Sequence, residues 1–147
     1  MEAHRFSFEK LLVWQEAKDL TVQVYQLTRD FPSEEKFALV QQIRRSATSV
    51  CANIAEGSSR TTAKDQAHFT TVAYGSLIEL LNHLLIAKEL KFVEETQLGE
   101  LRTLIQSISI KLFGLKKSQL SRIKGLNLLF LFIFSWSVYT PLKPLTF

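Results

Sequence analysis

The sequence predicts an all-α fold, an antiparallel up-down-up-down four-helix bundle followed by an apolar C-terminal extension. In four segments apolar residues recur at alternating three- and four-residue steps, which lays one stripe along a helix. Only a few residues separate these segments, and short connections between long helices make antiparallel neighbours. Five Gly and three Pro are too few for a sandwich or barrel built from many tight turns. At 147 residues, 46% apolar and 22% charged, the chain suits one globular domain. A domain of that size buries roughly 70% of its unfolded surface. The expected division is a bundle over residues 1–123 and a basic, apolar extension over 124–147.

The first helix is expected from about Glu9 to Arg29, with Trp14, Ala17, Leu20, Val24, Leu27 and Phe31 as its stripe. Phe31-Pro32 ends it, because a residue before proline is pushed out of the α region. Ser33 is expected to cap the second helix, with Glu34 and Glu35 at the positive end of its dipole. Its stripe is Phe37, Val40, Ile43, Ala47, Val50, Cys51 and Ile54, and Gly57-Ser58-Ser59 is expected to stop it through a left-handed glycine. Thr62 with Asp65 three residues on resembles a capping box and opens the third helix. Phe69, Ala73, Leu77, Leu80, Leu84 and Ala87 form its stripe, which fades near Phe92-Val93. The fourth helix, roughly Glu95 to Ile123, carries Leu98, Leu101, Ile105, Ile108, Leu112 and Leu115. Gly99 and Gly114 weaken it by up to about 1 kcal/mol each relative to Ala.

From Gly125 to Leu142 there is no charged residue. A transmembrane helix needs about 20 apolar residues, so this run sits at the lower limit. Lys116, Lys117, Arg122 and Lys124 precede it as the flank of a C-terminal membrane anchor would. Asn127, Ser135, Ser137 and Pro141 count against that reading. The alternatives are a strand-like or irregular segment packed on an oligomer, or a disordered extension, and membrane association is not the expectation. One cysteine, Cys51, allows no intrachain disulfide, and the start MEAHRFSFEK lacks the apolar run of a signal peptide. A reducing, cytoplasmic setting is expected.

The formal net charge of +4 is unevenly placed. Residues 1–100 hold 11 Lys and Arg against 14 Asp and Glu, a net of −3. The cations Arg102, Lys111, Lys116, Lys117, Arg122, Lys124 and Lys143 follow, with no acid after Glu100. Electrostatic binding is therefore expected near the end of the fourth helix rather than over the whole bundle.

Several motifs together are specific. They are Leu12-Val13-Trp14-Gln15, Phe31-Pro32, Gln42-Ile43-Arg44-Arg45-Ser46-Ala47 and Asn53-Ile54-Ala55-Glu56-Gly57 with Arg60. Ala73-Tyr74-Gly75-Ser76-Leu77 and Glu79-Leu80 complete the set. In these residues the chain resembles the bacterial four helix bundle protein family, also called the 23S rRNA intervening-sequence or S23 family. The resemblance covers about Phe6 to Ile123, and Lys124 to Phe147 has no counterpart in it. It implies a bundle that assembles as a ring, commonly a pentamer. It also implies genes sometimes lodged within 23S rRNA genes, and a distant similarity to the accessory protein of diversity-generating retroelements. No enzymatic activity, cofactor or small-molecule substrate comes with it.

On the second helix, Arg45, Ser49, Asn53 and Glu56 form a polar stripe nearly opposite Ile43, Ala47, Val50 and Ile54. As a subunit interface it would pair Arg44 or Arg45 with Glu56 or with a neighbour's Glu79. As a nucleic-acid surface, Arg44, Arg45 and Arg60 would meet phosphates beside Asn53. The plain alternative is a solvated face. On the third helix, Gly75 and Ser76 would let a neighbouring helix approach closely, with Glu79 meeting an arginine across the contact. A di-metal carboxylate site needs paired Glu-x-x-His motifs, which the chain lacks, and it has only His4, His68 and His83. Cys51 lies on an apolar stripe, where a thiol behaves as a small hydrophobe. No phosphate loop, nucleophile elbow or zinc helix motif occurs, so a non-enzymatic binding protein is expected. RNA or a ribonucleoprotein is the expected ligand, and a ring-forming protein-interaction module is the alternative.

Overall fold

Helices form where the four apolar stripes run. The computed structural model describes residues 4–139, with side chains as far as Ile123. Its helices are α1 (Leu12–Leu27), α2 (Leu39–Ser59), α3 (Ala63–Glu89) and α4 (Glu95–Tyr139). Short 3₁₀ turns span Ser7–Lys10 and Ser33–Phe37, and there is no strand among the described residues.

Cross-helix contacts set the directions. Arg44 Nε on α2 donates to Thr28 Oγ1 on α1 at 2.8 Å, and Thr21 Oγ1 lies 3.1 Å from the Ala47 carbonyl. The numbers fall on α1 as they rise on α2, so the pair is antiparallel. Between α2 and α3, Ser49 meets Ser76 and Gly57 meets Phe69, again in opposite order. Between α3 and α4, Thr70 meets Gln119 and Lys88 meets Glu95. Glu16 on α1 accepts from Lys111 Nζ at 2.9 Å and Ser107 Oγ at 3.0 Å on α4, which closes the bundle.

The core is the expected one with local shifts. Leu20, Ile43, Leu77, Leu80, Leu84, Leu98, Ile108 and Leu112 are fully buried. Truncating such a leucine to alanine removes about 2–5 kcal/mol. By length and composition α3 could cross a membrane, yet its Ala73, Leu77, Leu80, Leu84 and Ala87 are all buried inside the bundle. At the start of α1 Val13 rather than Trp14 is buried, with Trp14 beside it at the margin, packed edge-on against Phe8.

Helix boundaries depart from the sequence reading in physically clear ways. Extended Leu11 separates the first 3₁₀ turn from α1, so the helix starts at Leu12 rather than Glu9. Ser33 does not cap α2. It opens the second 3₁₀ turn, Ala38 (φ −115°, ψ −106°) breaks the chain direction, and α2 begins at Leu39. There Glu35 Oε2 accepts the Leu39 N–H at 3.2 Å, satisfying an otherwise orphaned donor of the helix start. Phe37, expected in the stripe, therefore lies in that turn and is 81% exposed. Gly57 is not a left-handed stop, since no glycine among the described residues has positive φ. The helix runs to Ser59, where Ser58 and Ser59 bond back to Ala55 and Glu56, and extended Arg60 ends it. Thr62 does cap α3, its Oγ1 accepting the Asp65 N–H at 3.0 Å. Helix α4 passes the expected end at Ile123 without a break and continues to Tyr139. The extension is thus helical as far as Tyr139, not strand-like. Residues 140–147, with Lys143, lie outside the described residues.

Candidate nucleic-acid interface

The bundle has one end where α1 and α3 begin and α2 finishes, and α4 passes through it. A close approach of α2 and α3 builds this end. A Cβ at Gly57 would stand 2.9 Å from the Phe69 Cβ, so only glycine lets α3 come so near. Phe69, half-buried there, offers its ring to Arg60, whose guanidinium carbon lies 4.6 Å from the ring centroid. Arg60 also pairs with Glu56 one turn back, which neutralises much of its charge. The Arg60 carbonyl accepts from Gln66 Nε2 at 2.7 Å, and Gln66 Oε1 accepts from Arg122 at 2.8 Å. Gln119, buried on α4, meets Thr70 at 2.9 Å. This polar network ties three helices around a cleft of about 200 Å³.

Cations gather at that end. Arg5, Lys10, Lys64, Lys117 and Arg122 are exposed, Lys116 is half-buried, and none of them forms an ion pair among the described residues. Glu9, Glu56 and Asp65 are the acids nearby. Glu9 and Asp65 are engaged by the Phe6 N–H and Thr62 Oγ1. The Lys124 side chain lies outside the described residues. Beside these cations, Tyr74 on α3 and Phe113 on α4 bring their ring centroids to 4.9 Å, with Phe113 57% exposed and Lys116 lining the same groove. The opposite end mixes Arg29, Lys36, Lys88 and Lys91 with Asp30, Glu34, Glu35, Glu89, Glu94 and Glu95. The Lys88–Glu95 hydrogen bond there raises the ammonium pKa and lowers that of the carboxyl.

The expected polar stripe is resolved differently from the sequence reading. Within the protomer Arg44 bonds to Thr28 rather than Glu56 and lies over Tyr25, its guanidinium carbon 4.8 Å from the ring centroid. Tyr25 stands on α1 and Thr28 caps its C-terminal end, and together they hold Arg44 inside the protomer. Asn53 bonds to Ser49, and Ser49 to the buried Ser76, so these three polar groups knit α2 to α3 within one chain. Gly75 faces open space, with nothing within 4 Å of an added Cβ. Exposed Glu79 has His83 Nε2 at 3.6 Å along its own helix. Arg45 keeps the exposure the interface reading asked of it, as do Glu56, Gly75 and Glu79, and Arg45 makes no ion pair among the described residues. Cys51 is half-buried against Thr21, and burial raises its thiol pKa despite that hydrogen bond. No group of three or more His, Cys, Asp or Glu converges to hold a metal among the described residues.

A family model described as 23S rRNA-intervening sequence protein matches residues 9–114. The chain belongs to that family. The chain also superposes on the crystal structure of a protein with unknown function from the S23 ribosomal protein family of Bacteroides thetaiotaomicron VPI-5482. The TM-score is 0.67 at 22% identity, covering 72% of this chain and 96% of that one, a likeness of fold. No curated protein matches the chain. Nothing in these likenesses points to catalysis. The family span includes Arg44, Arg45, Asn53, Glu56, Arg60, Gly75, Ser76 and Glu79 but ends before Lys116, Lys117, Arg122 and Lys124. The Tyr74–Phe113 pair and Lys64 were missed from sequence because they join the site only through the antiparallel register of α3 and α4. That register could have been drawn from the short α3–α4 connection.

Proposed function

We propose that the protein is a non-enzymatic, self-associating, cytoplasmic RNA-binding bundle, with the basic end of α3 and α4 as its contact surface. The observation that supports this is the segregation of charge. Cations without carboxylate partners flank an exposed Phe113 seated on half-buried Tyr74 at one end, while the other end is mixed. Lys64, Lys116, Lys117 and Arg122 would neutralise phosphates, and Phe113 on Tyr74 offers a face on which an unpaired base stacks. The family's name, with its 23S rRNA setting, favours RNA over other polyanions.

The test is fluorescence polarisation with single-stranded and duplex RNA across salt. Four phosphate contacts to a single strand predict a log–log slope of about −3. The double substitution Lys116→Gln/Lys117→Gln should flatten that slope by roughly 1–1.5. Phe113→Ala should weaken single-strand binding by about 1–3 kcal/mol and leave the slope alone. A salt-independent signal, or equal loss from Lys36→Gln/Lys91→Gln at the mixed end, refutes the assignment.

A further inference from the structure

Helix α4 is much longer than the helix it packs beside. It has 45 residues against the 27 of α3, and it starts beside the C-terminal end of α3, where Lys88 meets Glu95. At 1.5 Å per residue the surplus is about 27 Å of helix, and all of it falls beyond the basic end of the bundle. Residues 125–139 make up most of that surplus, GLNLLFLFIFSWSVY, and carry no charge. Leu, Phe and Ile follow one another there at every position from Leu128 to Phe134, a pattern with no polar position and hence no stripe. A helix of a water-soluble bundle presents a stripe, whereas one that is apolar all round is surrounded by protein core or by lipid. Lys116, Lys117, Arg122 and Lys124 occupy the turns immediately before it.

We propose that residues 125–139 insert into an anionic lipid surface, with the basic end of the bundle resting on the headgroups. The two parts of the molecule supply the two terms that stable attachment uses. Apolar side chains enter the acyl region, and cations within a Debye length of the surface are drawn to anionic headgroups. Fifteen helical residues reach about 22 Å, against a hydrocarbon core of roughly 30 Å. Asn127 then sits near the headgroups, and Trp136 lies about 18 Å past Lys124, among the acyl chains. Lipid rather than a second copy of the helix fits the cations. Anionic headgroups neutralise the charges gathered at the root of this helix, which a second copy of the same helix does not.

The experiment is flotation of the full chain with vesicles of phosphatidylcholine alone or with phosphatidylserine, together with quenching of tryptophan fluorescence by lipids brominated deep in the acyl chain. Trp14, packed against Phe8 in the bundle, supplies an unquenched background. The full chain should float with the anionic vesicles, and its Trp136 emission should be quenched. The substitutions Leu131→Asp/Phe134→Asp should cut flotation at least tenfold and abolish quenching, with circular dichroism of the bundle unchanged. Added salt should weaken flotation only in part. Failure to float, flotation without quenching, or flotation indifferent to the aspartates overturns insertion. So does a self-association that the aspartates abolish in the absence of any affinity for vesicles. RNA retention by the aspartate variant should match the parent chain, so the lipid and RNA readings fail separately.

Discussion

Gly57 and Gly75 both sit in helices with ordinary negative φ, and the bundle uses them in opposite ways. At Gly57 the missing side chain is what allows the α2–α3 approach that seats Phe69 and, through it, Arg60. The obstacle to an added methyl is another Cβ, fixed to the α3 backbone, so the helices themselves would have to part. Gly57→Ala should therefore lower stability by about 1–3 kcal/mol, as overpacking does. Gly75 meets nothing, and there alanine should raise stability by up to about 1 kcal/mol through helix propensity alone. Urea denaturation of the two variants checks the pair, and equal effects would show that the α2–α3 contact is not tight at Gly57. Both glycines fall within family-like motifs, and the stop expected at Gly57 was misplaced for an intelligible reason. Gly57 precedes two serines at a helix end and looks like a stop, while the partner that needs it, Phe69, belongs to the next helix. Gly75 adjoins Ser76, but one position is a third of a turn: Ser76 faces α2 and Gly75 faces away.

Between α3 and α4 the chain turns through Lys91, the one non-glycine residue with positive φ among the described residues, at 63°. Phe92 N–H reaches the Ala87 carbonyl at 2.9 Å and Lys91 N–H reaches that of Lys88 at 2.8 Å, the paired bonds of a Schellman motif. Phe92 then packs against Phe31, centroids 5.6 Å apart, which anchors the turn to the end of α1. A side chain in the left-handed region costs about 1–2 kcal/mol, and glycine relieves it while giving back about 0.5–1 through unfolded-chain entropy. Lys91→Gly should consequently stabilise the bundle by roughly 0.5–1 kcal/mol, read as a higher urea midpoint at unchanged slope. An unchanged or lower midpoint contradicts the strain. At this scale the sequence was legible where one helix decides the outcome. The stripes through Leu20, Ile43, Leu77 and Ile108 and the Thr62–Asp65 cap depend on local spacing, and all are present. It was illegible where the outcome is decided elsewhere in the chain. Ser33 looked like a cap because the Ala38 break carries no residue-type signature. The α3 stop at Lys91 carried none either, for want of a glycine.

Across the whole molecule, one side of α3 is left without a partner inside the protomer. Val72, Gly75, Glu79, Asn82 and Ile86 follow one another at alternating steps of three and four, the spacing of a second helix-packing seam opposite the buried one. Val72 is 38% exposed and Ile86 43%, with the side-chain-free Gly75 between them. A homo-oligomer that used this seam would bury those two side chains and bring a neighbouring backbone close at Gly75. Glu79 would then face whatever cation the neighbour offers, and exposed Arg45 is available on α2. This arrangement keeps the basic end out of the contact, which matters because each protomer added to a symmetric assembly brings another set of cations to the same side. Linked sites bind a common RNA strand or surface far more tightly than one site does. The substitutions Val72→Glu/Ile86→Glu should therefore lower the sedimentation mass of the full chain while leaving helicity unchanged, because both side chains already tolerate solvent in the protomer. RNA retention should fall with the mass although no RNA-contacting residue has changed. Arg45→Glu should reduce the mass as well, and the reversal of the pair, Arg45→Glu with Glu79→Arg, should restore it. A parent chain that sediments as a monomer, or a mass unmoved by the two glutamates, removes the seam from the account and leaves the basic end to act one bundle at a time.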